Sequence, residues 1–103
     1  VAQWYRQHGY EIVAMNWRFH SPHARGEIDV IALLGNVLVI CEVKARANDD
    51  FGSPLEAIST RKQFVLQRAA YEFVKQHDLR SMHLRFDVAA VTGVVVEVLF
   101  DAF

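Results

Sequence analysis

A single cysteine, Cys41, means that no internal disulfide can staple this chain, which suits a reducing compartment, and the cytoplasm is the expected location. Only two prolines and five glycines are spread over 103 residues, so linkers, collagen-like repeats and low-complexity tracts are excluded. Charge of one sign is also lacking: 11 basic against 12 acidic residues leave a net −1. Overall charge therefore cannot hold a nucleic acid, and any such surface must be local. No apolar run reaches the length of a membrane span and no leader pattern appears, so no membrane partner is expected. The chain opens at Val1 without Met, on residues that already read as helix, and further residues are expected upstream. What is present is apolar: 52% hydrophobic residues with seven Phe, two Trp and three Tyr, enough for one globular domain over residues 1–103.

The chain is organised around residues 26–44. Two β-branched apolar runs flank Gly35-Asn36, the pattern of a tight hairpin in which Gly takes the positive φ of a type II′ turn. A two-residue loop sets Leu34 against Val37, Leu33 against Leu38 and Ile31 against Ile40. Continued to the open end, that register sets Asp29 against Glu42 and Glu27 against Lys44, all on one face. Directly opposed carboxylates repel. A divalent metal ion between Asp29 and Glu42 is the natural compensation, the plain alternative being a solvated strand end with an ordinary Glu27–Lys44 ion pair. Cys41 falls on the other face, among Val37, Val39 and Val43, as a small buried hydrophobe.

Elsewhere, residues 1–7 read as a helix end closed by Gly9, and Tyr10 to Phe19 as a strand whose inner face is Val13, Met15, Trp17 and Phe19. A polar loop over residues 20–26 follows; its His20 and His23 lack further ligands at zinc spacing, and solvent or phosphate contact explains them better. Ser53-Pro54-Leu55-Glu56 has the form of a helix start, and Thr60 opens a longer helix to about Gln76 with the inner stripe Val65, Leu66, Ala69, Ala70, Phe73 and Val74. Lys62 lies on the stripe side in the first turn, which predicts that it overhangs the acidic end of the hairpin. Residues 84–92 and 94–100 read as strands around Gly93. The order is that of an α/β sandwich with a mixed sheet, its central strands apolar on both faces.

Several segments together resemble a known family. Gly26-Glu27-Ile28-Asp29-Val30-Ile31-Ala32, Glu42-Val43-Lys44-Ala45-Arg46, Phe51-Gly52-Ser53-Pro54, Arg61-Lys62-Gln63, Arg85-Phe86-Asp87-Val88 and Ala102-Phe103 are similar to the YraN-type family of small bacterial proteins. The resemblance implies the restriction-endonuclease-like PD-(D/E)xK fold, an αβββαβ core with a mixed central sheet flanked by helices, shared with archaeal Holliday junction resolvases. The proline of that signature is replaced here by Ile28, and resolvases add an acid from the first helix, so a complete metal site is expected to draw on residues before Val1. Gln67 and Tyr71 also match the Q-x-x-x-Y spacing of RecB-type nucleases, although both sit on the helix flank, where ordinary surface explains them.

The function so implied is a Mg²⁺- or Mn²⁺-dependent endonuclease on DNA, with branched substrates by analogy and a homodimer suited to them. Asp29, Glu42 and the Val43 carbonyl are the implied metal ligands, with Lys44 beside them to orient water or stabilise developing charge and Glu27 to hold Lys44 or a second ion. Arg25, Arg46, Arg61 and Lys62 form a phosphate-binding rim. Two other classes stand beside this one: a nucleic-acid-binding module of the same fold that does not hydrolyse, and an interaction domain whose acids are only a solvated strand end.

Overall fold

The Gly35-Asn36 turn forms as its sequence dictates. Gly35 sits at φ +58° while Asn36 has no positive φ, the combination of a type II′ turn, and Leu34↔Val37, Leu33↔Leu38 and Ile31↔Ile40 pair across it. In the computed structural model, which describes residues 1–22, 25–46 and 58–103, the elements follow in the order α1 (Ala2–Gln7), β1 (Glu11–His20), β2 (Arg25–Leu34), β3 (Val37–Arg46), α2 (Thr60–Gln76), β4 (His83–Thr92) and β5 (Val95–Leu99). The expected helix start at Ser53 lies outside the described residues. β1 runs to His20 and β2 begins at Arg25, so His20, Arg25 and Gly26 of the expected 20–26 loop are strand.

The five strands lie in sequence order in one sheet, antiparallel except for β3 and β4, which are parallel and joined by the α2 crossover. Ser59 caps α2, its hydroxyl accepting from the Lys62 N–H at 3.1 Å, one residue before the expected Thr60. Leu66, Ala69, Ala70, Phe73 and Val74 of α2 cover one face of the sheet through Ile28, Ile31, Leu38 and Ile40. Gly26 lets α2 come close: a Cβ there would meet Val65 Cγ1 at 3.2 Å and Ala69 Cβ at 3.3 Å. On the other face Tyr5 of α1 and Tyr10 pack over Val30, Ala32, Val39, Cys41 and Ala89. Central β3 is accordingly buried on both sides, and burial pushes the Cys41 thiol up to about 12, so it stays protonated and inert near neutrality. Among the described residues no helix is long and apolar enough to cross a membrane.

The outer strand corrects the sequence reading. Val13 and Met15, expected inside, are exposed, whereas Ala14, Trp17 and Phe19 face inward. Two irregularities change the phase of β1: a bulge between Ile12 and Ala14, and Asn16 at φ +51°, a conformation Asn tolerates better than other side chains. Strict alternation cannot survive either one.

A buried acid and two lysines beside a parted hairpin

β2 changes phase as well, and this reshapes the candidate site. Ile28 and Ile31 both face α2, although they are three residues apart, while Val30 faces α1. The irregular residue is Asp29. Met15 pairs with Val30 and Trp17 with Ile28, which sets Asn16 opposite Asp29, so the two strands change phase together. On the other side of β2 the hairpin ladder ends at Val30↔Cys41. The expected ladder pairs Asp29–Glu42 and Glu27–Lys44 therefore do not form. Asp29 lines a depression of about 400 Å³ on the α1 side with Asn16, Met15 and Val43, and Glu27 meets Arg18 of β1 at 3.8 Å.

Asp29 nevertheless stays at the edge of β3. Its Oδ2 accepts the Val43 N–H at 2.8 Å, the amide that a continued ladder would have given to the β2 backbone. N–H and C=O of one strand residue point the same way, so the Val43 carbonyl is aimed at the same gap. Glu42, one residue earlier, projects toward α2, with Lys44 Nζ at 3.8 Å and Lys62 Nζ at 3.7 Å, both from Oε1. Lys62 thus overhangs the acidic end of the hairpin, as its place in the first helical turn predicts. The two acids straddle the Glu42–Val43 peptide instead of sharing a face.

Glu42 is 6% exposed. Burial first, then the neighbouring Asp29 charge, push its carboxyl above the ordinary range, and Lys62 and Lys44 only partly offset this. The folded protein therefore holds this proton more tightly than the unfolded chain. Its stabilising contribution is complete below the unfolded pKa and is lost as pH rises through the raised folded value. Thermal melts should show the unaltered protein losing stability from pH 4.5 toward neutrality relative to Glu42→Gln; parallel profiles would show that the carboxyl is not perturbed.

The basic rim is dispersed. Arg25 lines a cleft of about 370 Å³ with Arg18, His20, Glu27 and Lys62, so it shares only Lys62 with the Glu42 site. Arg46, whose side chain is 10% exposed, is drawn to Glu97 of β5 at 3.4 Å, and Arg61 stands exposed on α2. Lys62 alone of the four meets Glu42.

A second polar cluster escaped the site reading. Asp87 of β4 is fully buried, and both its oxygens take Arg85 donors at 2.9 Å. Tyr5 OH donates to it at 2.7 Å and the Asp101 N–H at 3.2 Å. The Arg85 guanidinium also donates to Tyr10 OH at 3.0 Å and lies 4.2 Å from the Phe100 ring centroid. The Arg-x-Asp spacing on one strand was the only local signal, since Tyr5 lies 82 residues away.

A mixed α/β sheet carrying a buried acid and two lysines where its central hairpin parts defines the class. The chain belongs to the family described as Uncharacterised protein family UPF0102, whose sequence profile matches residues 1–91, in agreement with the YraN-type resemblance. It is 41% identical over 91 residues to a UPF0102 protein of Leifsonia xyli subsp. xyli, covering 88% of this chain and 74% of that one. A UPF0102 protein of Flavobacterium psychrophilum is 43% identical over 83 residues, 81% of this chain and 66% of its own, and one of Sulfurihydrogenibium sp. is 38% identical over 95 residues, 92% and 79% respectively.

Proposed function

We propose that the protein is a metal-dependent endonuclease of the PD-(D/E)xK type acting on DNA. The observation that carries this reading is the parted hairpin: Asp29 accepts the Val43 N–H next to Glu42, whose buried carboxyl is pushed up and has Lys44 and Lys62 beside it. Among the described residues no group of three or more His, Cys, Asp or Glu forms a protein-only cage. Two carboxylates and a carbonyl instead fit Mg²⁺ or Mn²⁺, hard ions that retain several waters. Asp29, Glu42 and Val43 would hold the ion, which when bound supplies an activated water and neutralises charge on the phosphate.

Lys44 lies beside these groups, half-shielded, and stabilises the charge that builds on the phosphoryl oxygens as water forms the new P–O bond and the old one breaks. Lys62 brings a second cation from α2 to the same edge. Glu27 meets Arg18 of β1 and not Lys44.

A binding module without hydrolysis is the second reading. It is favoured by Lys44 and Lys62 both standing on Glu42 Oε1, which covers the acid's charge without any metal. Calorimetric titration with Mn²⁺ separates the two at the binding step. Binding lost in Asp29→Asn is expected; Asn keeps an acceptor for the Val43 N–H, whereas Asp29→Ala would orphan that amide. Equal binding by both proteins, or none by either, would favour the module.

A further inference from the structure

We infer that the outer face of α2 is a binding platform for single-stranded nucleic acid, with bases stacked on Phe64 and Tyr71 and phosphates held by Arg61, Arg68 and Lys75. This deepens the nuclease reading by naming the form of its substrate, but it stands on different residues.

The spacing comes first. Positions 61, 64, 68, 71 and 75 advance by alternating steps of three and four, so they form one line along a helix. At 100° per residue that line lies opposite the centre of the face that buries Leu66, Ala69, Ala70, Phe73 and Val74. All five side chains are exposed, and Phe64 and Tyr71 are 67% and 60% exposed. The order along the line is cation, aromatic, cation, aromatic, cation, over about 21 Å at 1.5 Å per residue.

Charge identifies the occupant. α2 carries Arg61, Lys62, Arg68 and Lys75 against one acid, Glu72, which sits on the flank and is partly buried, in a chain whose net charge is −1. Arg61, Arg68 and Lys75 form no ion pair among the described residues, unlike Lys62, Arg18 and Arg46. An apolar protein partner would not need cations at every second position of the line, and a second copy would bring like charges together. A polyanion with exposed π-faces satisfies both kinds of residue at once, and stacking tolerates any base. A duplex hides those faces, so the single strand is the form that fits. Near its C-terminal end the line meets a small depression of about 110 Å³ lined by Tyr71, Val74, Lys75 and Arg80. At the other end Arg61 adjoins Lys62, the lysine that reaches Glu42, so a strand on α2 leads to the parted hairpin.

Fluorescence anisotropy with labelled oligothymidylate and with a duplex of equal length tests this on the full chain. Phe64→Ala and Tyr71→Ala should each weaken oligothymidylate binding about 5- to 150-fold at an unchanged salt slope, and duplex binding much less. Arg68→Gln should lower the slope of log affinity against log salt by about 0.7. All three residues are exposed, and melting curves matching the unaltered protein will show that the fold is kept. Aromatic variants that bind like the unaltered protein would overturn the platform. So would a concentration-dependent dimer that Phe64→Ala dissolves, which would make the face a contact between copies. Binding that follows the stripe without any cleavage would leave the inference standing and remove only the nuclease reading. Cleavage that needs Glu42 while Phe64 and Tyr71 are irrelevant would do the reverse.

Discussion

Asp87→Ala should lower the melting temperature by about 12–40 °C, the largest stability effect expected of any single substitution. The change leaves the Arg85 guanidinium, whose side chain is 17% exposed, without its carboxylate, and strips the acceptor from Tyr5 OH and the Asp101 N–H. Removing one member of a buried ion pair costs about 3–5 kcal/mol, because the survivor keeps its desolvation penalty. Each kcal/mol corresponds to roughly 4–8 °C in a domain of this size. The cluster fastens α1 and the C-terminal turn to β4, so Trp4, which packs edge-on against Phe100, should report the loss by fluorescence. Arg85→Met combined with Asp87→Leu should recover part of the deficit, since no charge is then left buried. A melting temperature within a few degrees of the unaltered protein for Asp87→Ala would show that the cluster is not a structural tie.

Loss of cleavage is the second large effect. Asp29→Asn, Glu42→Gln and Lys44→Ala should each reduce metal-dependent cleavage by at least about a hundredfold, the scale set by removing one preorganised charge-stabilising group. On the proposed function the three act on one transition state, so the triple variant should be scarcely worse than the worst single one. DNA binding should persist in all of them, because the stripe proposed on α2 is untouched. Losses that multiply would mean that the residues act independently, for instance through the fold.

These two sites differ in how visible they are in the amino-acid order. Gly35-Asn36 with its flanking apolar runs dictates the turn and the ladder from Val30 to Val37 by local rules alone, and the α2 stripe dictates which face of that helix is buried. The placement of Lys62 over Glu42 follows from those two facts. The phase change at Asp29 does not. It arises because β2 must answer Asn16 on one side while parting from β3 on the other, and alternation carries no mark of where neighbouring strands separate. Reading strict alternation through that point set Asp29 against Glu42 and Glu27 against Lys44, pairs that the parted strands do not make. The Asp87 cluster was hidden for a different reason. Arg85 is local, but Tyr5 and Asp101 reach Asp87 only once the sheet has closed. Arg46 likewise looks like rim charge beside Lys44, yet β5 offers it Glu97.

The central claim is that the gap beside Glu42 serves phosphodiester hydrolysis. The most direct measurement is cleavage of a panel of single-stranded, duplex, flap and four-way-junction DNA by the protein with Mg²⁺ or Mn²⁺, with and without chelator, beside Glu42→Gln prepared identically. The account predicts nicking or cutting of at least one substrate, abolished by chelation and by Glu42→Gln while DNA binding remains. No cleavage of any substrate with metal-independent binding, or cleavage that survives unchanged in Glu42→Gln, would contradict it.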